Sequence, residues 1–505
     1  MEKIKKFFFN ASLMVLTTVI LRIISLYFSV WVSRSVGEEG IGIYQLTLSL
    51  YRVGITLSSA GIGFAATRII AEEIEKKNPR EALRAASRCL SLSLGFGVTI
   101  ALIFFFFADF LGESFLGDNR CILTIKAMAI SFPFVVMSSV IGAYFTAVRR
   151  VSKNAIGMFL DQFVRMGVTY VMLLRFDPSN LEYASFSLAM GGIIAEIVSF
   201  LLSYVLYTLD RRFLFKNEHI KTELGKRIAS IALPVGLSSI LRSSLLSIEH
   251  MMIPRGLKKR GVHSSKALSL YGMISGMVFP VILFPTAFLY AASDLIVPEF
   301  AAASVSEDKF RLKRLTRKVM QLTSYFAVGV AGIMFGFSKE IGEIFYDSSQ
   351  CGYYIKLLAP LVVFMLYDHL ADAILKGLGE QVSVVIYNII DSVTSVALVY
   401  FLVPVFGLGG YIFVVWFGEV VNCIMSGTKL LKRTKTSLYP FRFFFLPTVS
   451  VTISVALTRF FATPYNLFSL ITSMSISILI YLFILRIFGC ITLKDYKMAI
   501  KVLKK

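Results

Sequence analysis

Residues 8–32 read FFNASLMVLTTVILRIISLYFSVWV, an apolar run whose one charged residue is Arg22. A helix needs roughly twenty such residues to cross about 30 Å of hydrocarbon. The run follows a basic start, Met1 to Lys6, as a secretion signal does. It is too long for the apolar part of a signal, however, and no small-residue cleavage site follows it. We therefore interpret it as the first of a series of membrane-spanning helices.

Similar stretches recur along nearly the whole chain of 505 residues, which is 56% hydrophobic and 16% charged. A soluble domain needs more charge than this to cover its surface. The sequence therefore predicts an all-α integral membrane protein with about 14 transmembrane helices. Their predicted centres lie near Ile20, Leu50, Ile100, Val136, Val168, Ile197, Ile240, Ile282, Val328, Val363, Val393, Val415, Ile453 and Ile478.

The net charge of +21 lies mostly in short connections between the apolar stretches. The most basic are residues 68–88, 149–153, 211–227, 309–318, 429–442 and 494–505. The positive-inside rule explains this charge better than nucleic-acid binding does. With an even number of helices, both termini are predicted on the cytoplasmic side of the cell membrane, near anionic lipid headgroups. One basic connection, residues 255–266, breaks the rule because it would face outward.

An internal repeat supports the helix count. Arg22 recurs as Arg242 and Leu48–Tyr51 as Leu268–Tyr271, both after 220 residues. Four further residues recur after 230: Arg84, Cys121, Lys126 and Asp161 match Arg314, Cys351, Lys356 and Asp391. Two six-helix lobes of equal orientation are therefore predicted, related by an axis along the membrane normal. We predict one lobe over residues 1–225 (helices 1–6) and a second over 226–435 (helices 7–12). Residues 436–505 would form helices 13 and 14 and a basic cytoplasmic tail.

Three arginines lie within predicted helices 1, 2 and 7, which would line the seam between the lobes: Arg22, Arg52 and Arg242. A charge inside hydrocarbon costs about 2.5 to 3.5 kcal/mol on insertion scales, so each needs a partner, a cavity or a task. Several guanidinium groups in one cavity suit an anion, because each can grip a phosphate through two hydrogen bonds. Alternatively, each arginine is paired with a carboxylate in its own lobe or reaches an interface.

The two lobes differ at a repeated aspartate. Asp161 has Arg165 one helical turn away, the spacing of an intrahelical ion pair, whereas Asp391 has Ser395 there. Asp391 instead lies near amide and hydroxyl side chains such as Asn388. Such a carboxylate can coordinate Na⁺ or carry a proton, which would couple transport to an ion gradient. The alternative is a buried, protonated aspartate with ordinary hydrogen bonds.

Further embedded acids are Asp368 and Asp372 on helix 10 and Glu249 near the outer end of helix 7. The two aspartates share a face, where they would pair with Lys376 or help to form an ion path. The chain carries four histidines, no clustered metal ligands, no GxSxG motif and no P-loop. We therefore expect no enzymatic activity, no metal site and no cofactor.

The stretch Ile248–Leu257 (IEHMMIPRGL), followed by Ala267–Gly272 (ALSLYG) and Phe284-Pro285, resembles a known family when taken with the lobes and arginines. The chain resembles, over its whole length, the polysaccharide exporters of the multidrug/oligosaccharidyl-lipid/polysaccharide superfamily, relatives of the lipid II flippase. The resemblance implies alternating access. An undecaprenyl-pyrophosphate-linked oligosaccharide or peptidoglycan precursor would cross the cytoplasmic membrane, for cell-wall or spore-cortex synthesis.

In flippases of this kind cavity arginines hold the pyrophosphate, a role that the resemblance assigns to the three seam arginines. It likewise assigns a coupling-cation site to Asp391 and Asn388. Arg255 would receive the pyrophosphate at the exit, or contact lipid headgroups instead. We expect a monomer that binds a polyprenyl-pyrophosphate-linked saccharide. The alternatives are a cation-coupled multidrug exporter with an acidic or apolar cavity, and a non-transporting membrane scaffold or enzyme for envelope polymer assembly.

Overall fold

The computed structural model describes residues 2–76, 78–212, 224–305, 308–437, 439–461 and 463–490. Every regular element in these ranges is a helix. The predicted tail 494–505 and most of the connection between helices 6 and 7 lie outside the described residues. The predicted all-α fold is confirmed.

The first two spans form one continuous element, Glu2–Ser59, which Gly37 divides because its φ of 75° and ψ of 172° are not helical. The apolar part alone, Leu16–Ser59, has 44 residues. At 1.5 Å per residue it would extend about 66 Å, twice the hydrocarbon thickness, so it supplies two spans. We name residues 2–36 α1 and residues 38–59 α2. A short helix, Ile62–Glu75, continues from α2 after a turn.

The remaining spans are named in chain order to match the predicted helices. They are α3 (Pro79–Phe106), α4 (Asn119–Ala129 with Phe132–Ala147), α5 (Val151–Arg175), α6 (Leu181–Arg212), α7 (Leu224–Lys259), α8 (Ser264–Leu283 with Thr286–Val305), α9 (Lys309–Gly336), α10 (Ser349–Leu358 with Leu361–Gly377), α11 (Gln381–Phe406), α12 (Leu408–Thr434), α13 (Phe441–Phe461) and α14 (Leu467–Ile487). All fourteen predicted centres lie within these helices.

The described part of the chain holds eleven helices long and apolar enough to cross a membrane, or thirteen when two bent pairs each count as one span. The division at Gly37 brings the number to the predicted fourteen. The connections alternate between two ends of the bundle. We call the end with the α1–α2 and α7–α8 connections the outer face and the other end the inner face, following the predicted topology; the orientation itself stays a prediction.

The backbone carries the predicted repeat. α4 and α10 are each broken by a bend of 48°, and their parts begin 230 residues apart, at Asn119 and Ser349. Immediately before them, Gly117 and Asp347 both adopt the left-handed conformation. The next residues, Asp118 and Ser348, both cap the following helix through their side chains. Two lobes and two additional helices are thus present, while the boundaries at residues 225 and 435 stay predictions.

Close helix approach holds the seam between the lobes together. α1 and α2 pack against α7 and α8, whereas α13 packs against α9 and pairs with α14 outside the repeat. Glycines allow the shortest approach: a Cβ atom built on Gly272 of α8 would lie 2.1 Å from the Glu38 carbonyl oxygen. Small residues at helix interfaces let backbones come together in this way. The seam between the lobes is therefore formed by α1, α2, α7 and α8, the helices that carry Arg22, Arg52 and Arg242.

Candidate functional site

The three seam arginines have exposed side chains. Within the described ranges, the guanidinium groups of Arg22, Arg52 and Arg242 form no hydrogen bond and no ion pair. Several other arginines of the lobes are paired, as Arg120 is with Glu39 at 2.9 Å. The alternative of pairing with a carboxylate inside one lobe therefore does not hold for these residues. Because an unpaired guanidinium facing lipid is costly, a hydrated seam is its favourable environment.

The three arginines also lie at one depth. Arg22 precedes Gly37 by 15 residues and Arg52 follows it by 15, which places both about 22 Å below the outer end of their helices. Arg242 precedes Lys259, the last residue of α7, by 17 residues, or about 26 Å. By this count the three cations lie at similar distances from the outer ends of their helices, and their convergence on one cavity of the seam stays a prediction.

Charge interactions connect the two sides of the seam at this level. Arg52, on the first lobe, lies within electrostatic range of His250 and Tyr271 of the second lobe. The Nδ1 atom of that histidine is 3.1 Å from the tyrosine hydroxyl. Arg242 lies within electrostatic range of Asp368 and Asp391. The arginines therefore border an acidic region inside the second lobe.

Neutral donors hold the two aspartates of α10. Asp372, only 7% exposed, accepts hydrogen bonds from Asn388 Nδ2 at 3.1 Å and Ser426 Oγ at 2.9 Å. Asp368 accepts one from Asn422 Nδ2 at 2.9 Å. Sequence reasoning missed Asn422 and Ser426, because neutral polar residues in a span give no charge signal. The carboxylates of this region are thus held by amides and a hydroxyl.

Asp391 lies on α11 against α12, where its Oδ1 is 2.8 Å from the place that a Cβ of Gly418 would take. Glu249 and Glu419 both lie within its electrostatic range. The amide of Asn388 is directed to Asp372 of α10. The predicted ion-coupling residues therefore fall in one region, although Asn388 holds a different aspartate from the one expected.

In the first lobe the repeat-related aspartate is paired as predicted. Arg165 Nη2 is 2.9 Å from Asp161 Oδ2 and 3.6 Å from Glu196 Oε1. Gly192 leaves room for this guanidinium, since an added Cβ would lie 2.9 Å from its Nη1. The second lobe lacks this cation and keeps the carboxylate, which makes the two lobes electrostatically unequal.

The basic stretch of residues 255–266 runs from the end of α7 to the start of α8, and its outward orientation stays a prediction. Arg255 Nη2 donates to the carbonyl oxygens of Ser114 at 2.5 Å and Phe115 at 2.8 Å, which belong to the first lobe. Lys259 lies over the Tyr400 ring at 5.3 Å. In this structure Arg255 therefore connects the lobes at the outer face, and its role in releasing substrate stays a prediction.

Inter-lobe contacts occur at both ends of the seam. At the outer face Ser269 Oγ donates to Glu38 Oε2 at 2.6 Å, beside the close approach at Gly272. At the inner face a Cβ built on Gly61 would lie 2.4 Å from the Ala232 carbonyl oxygen. The arginine level lies between these contacts, so access to it from either side requires one set to open.

An ion cluster strengthens the inner contact. Arg227 of α7 bonds to Glu72 Oε2 at 2.5 Å and to Glu73 Oε1 at 2.6 Å, on the helix that continues from α2. Hydrogen bonds from Arg68 and Arg227 lower the pKa of Glu72, and the bond from Arg227 lowers the pKa of Glu73. A carboxylate with a lowered pKa contributes its stabilisation at neutral pH and loses it as the pH falls through that pKa. The cluster is therefore intact near neutrality.

Arg227→Ala is expected to open the inner end, because it leaves two neighbouring carboxylates without their inter-lobe cation. The measurement is maleimide labelling of a cysteine introduced as Ala232→Cys, a position only 5% exposed. Labelling at a fixed, neutral pH should rise several-fold. Arg68→Ala is the matched control, since that arginine bonds only within its own helix, to Glu72. Equal labelling in the Arg227→Ala and Arg68→Ala variants would contradict the view that this ion cluster holds the inner end of the seam closed.

The comparisons with known proteins agree with the fold. The family model described as polysaccharide biosynthesis protein matches residues 8–290, more than half of the chain. The chain belongs to this family.

Among curated proteins, the chain is similar to stage V sporulation protein B of Bacillus subtilis, with 22% identity over 418 residues, 81% of this chain and 80% of that protein. It is 23% identical over 375 residues to sporulation protein YkvU of the same organism, covering 73% and 82%. The multidrug export protein MepA of Staphylococcus saprophyticus is 22% identical over 309 residues, covering 60% and 65%. The chain is thus similar both to proteins named for sporulation and to a protein named for multidrug export.

Solved structures share the fold. A multidrug resistance MATE family transporter of the MOP superfamily in an inward-facing conformation matches with a TM-score of 0.67 and 17% identity, covering 83% of this chain and 98% of that one. A MOP superfamily transporter from Pyrococcus furiosus, described by the reversed polarity of its binding pocket, matches with a TM-score of 0.62 and 16% identity, covering 85% and 95%.

Proposed function

We propose that this transporter is a flippase that moves an undecaprenyl-pyrophosphate-linked oligosaccharide or peptidoglycan precursor across the cytoplasmic membrane by alternating access. The observation that carries the proposal is the group Arg22, Arg52 and Arg242, which have no partner among the described residues and lie at similar distances along their helices from the outer face. Membership in the polysaccharide biosynthesis family supports a lipid-linked saccharide as the substrate class. A role in cell-wall or spore-cortex synthesis agrees with the sporulation proteins among the relatives.

A pyrophosphate fits the arginine level for a chemical reason. Each guanidinium presents parallel N–H donors that match the oxygens of a phosphate group. Because Arg22, Arg52 and Arg242 have no carboxylate partner among the described residues, binding does not first require an ion pair to be broken. When the lobes separate during transport, the polyprenyl chain would remain in lipid while the charged head crosses.

The rival multidrug exporter would present acids or apolar side chains to an organic cation. The relative MepA gives this rival its support. In the second lobe, however, Asp368 and Asp391 have Arg242 within electrostatic range. Asp372 is buried against Asn388 and Ser426. An anionic substrate therefore matches the seam itself better than a cation does.

We further propose that the acidic region couples transport to Na⁺ or to protons, through Asp391, Asp368, Asp372, Glu249 and Asn388. Two buried oxygens support this: Asp368 Oδ1 and Asn422 Oδ1 accept no hydrogen bond within the described part of the chain. Buried acceptors without donors are costly, and a cation or an added proton would satisfy them. Arg242 lies within range of the same carboxylates, so charge changes there would reach the substrate level.

Asp391→Asn is expected to remove the dependence of transport on an ion gradient while substrate binding remains. The amide keeps the size of the side chain but can neither bind a proton nor supply a negative charge. Transport by vesicles with and without a Na⁺ or proton gradient is the measurement. Ser392→Ala, on the same helix, is the control. Unchanged gradient dependence in Asp391→Asn would remove this residue from the coupling site.

The function itself is tested with purified protein in vesicles that contain labelled polyprenyl-pyrophosphate-linked precursors. The fraction accessible from each leaflet is measured over time, with and without ion gradients. Movement of the labelled lipid supports the flippase. Movement of organic cations without the lipid would favour the multidrug exporter, and movement of neither would favour a scaffold for envelope polymer assembly.

A further inference from the structure

A cavity separate from the seam opens between α9, α10 and α13. Its volume is about 620 Å³ and its walls are mainly aliphatic and aromatic. Small residues of α9, among them Ala331, Gly332 and Gly336, leave the space that α13 does not fill. Two charged residues line it, Lys356 and Arg459, and both lie toward the outer face. The cavity is therefore an apolar groove with a basic end.

The repeat explains why Lys356 has no acidic partner. Its counterpart in the first lobe, Lys126, is 2.9 Å from Asp109 Oδ1. The residue that corresponds to Asp109 after 230 positions is Lys339. In the described ranges Lys356 is exposed, makes no ion pair, and lies over the Phe335 ring at 5.2 Å. The second lobe thus keeps the cation and has replaced its acid with another base.

Arg459 adds a second cation and an unmet acceptor. Its Nη2 bonds to Glu340 Oε1 at 2.5 Å. The other oxygen, Glu340 Oε2, is buried and receives no hydrogen bond within the described part of the chain. The three charges sum to one positive charge. A ligand that carries one negative charge would bring the sum of these charges to zero.

The groove also has the length that an acyl chain needs. Along α13 its lining runs from Arg459 down to Phe444, 15 residues or about 22 Å. One leaflet contributes about 15 Å of hydrocarbon, half of the total thickness. A lipid whose phosphate lies at the basic end can therefore extend a chain along the full groove.

We propose that this groove binds one anionic glycerophospholipid of the outer leaflet. Its phosphate would lie between Lys356 and Arg459, and one acyl chain would fill the space beside α9. Phosphatidylglycerol has this chemistry, since it carries one negative charge. The site is distinct from the seam and does not depend on the substrate proposed above.

Native mass spectrometry of the purified full chain in detergent tests the proposal, with phosphatidylglycerol or phosphatidylcholine added at equal mole fraction. The wild type should retain one phosphatidylglycerol in preference. Lys356→Ala should weaken its retention about tenfold, as expected for loss of a charge-assisted hydrogen bond. Lys339→Ala is the matched control, since that exposed lysine pairs with Glu343 at 3.9 Å and does not line the groove.

A second pair of variants tests the acyl-chain position. Ala456→Trp would fill the groove and should abolish retention, whereas Leu457→Trp, the next residue of α13 and absent from the groove lining, should not. Equal binding of both lipids, or equal retention by Lys356→Ala and Lys339→Ala, would overturn the proposal. So would preferential retention of a polyprenyl phosphate over phosphatidylglycerol, because the groove would then hold a different lipid.

Discussion

Replacing Arg22 or Arg242 with alanine is expected to abolish transport of the lipid-linked precursor while expression and membrane insertion remain normal. Neither side chain forms a hydrogen bond or ion pair in the described part of the chain, so its removal leaves no group unpaired. What is lost is the contact to substrate phosphate. A hydrogen bond to a charged group contributes about 1.5 to 3 kcal/mol, which corresponds to at least a tenfold loss per arginine.

The same assay separates charge from geometry. Arg22→Lys and Arg242→Lys keep the positive charge but lose the planar fork of donors, so partial transport is expected. Arg175→Ala is the matched control, because that arginine is exposed in the last turn of α5 and away from the common depth of the three. Leaflet accessibility of labelled precursor is the measurement. Normal flipping by both alanine variants would falsify the proposed role.

Gly272→Ala is expected to stop transport for a steric reason. The added Cβ atom would lie 2.1 Å from the Glu38 carbonyl oxygen and 2.5 Å from the backbone nitrogen of Gly42. These are backbone atoms of the opposite lobe, which cannot move aside as a flexible side chain can. Overpacking commonly costs 1 to 3 kcal/mol, and here the simplest relief is separation of the lobes. The outer end would then fail to close.

Labelling and transport together check this expectation. Leu268→Cys, at a position 1% exposed beside Gly42, should react with a membrane-impermeant maleimide several-fold faster when Gly272→Ala is also present. Gly95→Ala is the control, since nothing lies within 4 Å of its added Cβ. Transport should fall toward background in the first variant and stay unchanged in the control. Full transport by Gly272→Ala would mean that this close approach is not needed for the cycle.

The sequence predicted the membrane spans because lipid imposes a local rule on the chain. Every backbone polar group in hydrocarbon must be satisfied within its own segment, so each span is a helix with its own apolar run. The division of Glu2–Ser59 falls at Gly37, within the polar and glycine-containing stretch Ser33–Gly40 that separates the two predicted spans. Composition alone does not show that the helices form two related halves. The repeat does, since charged residues such as Asp161 and Asp391 recur at a constant spacing.

The partners of the charged residues could not be read from the sequence in the same way. Asn388 precedes Asp391 by less than one helical turn, yet its amide is held by Asp372 of another helix. Neutral residues such as Ser426 give no hydropathy or charge signal, although they decide how an acid is held. Lateral contacts between helices depend on rotation about each helix axis, which apolar composition leaves open.

The apolar run of residues 8–32 by itself determined a membrane-spanning helix. It left open what surrounds Arg22, the one charged residue in that run. Only the tertiary structure decided against ion pairs with carboxylates, because it placed Arg22, Arg52 and Arg242 exposed and without partners in the described ranges. Their contact with substrate stays a prediction. The tertiary structure also decided that Lys356 is unpaired where Lys126 is not. Apolar periodicity is a local property of the chain, whereas the pairing of charges depends on residues that folding brings together from distant positions.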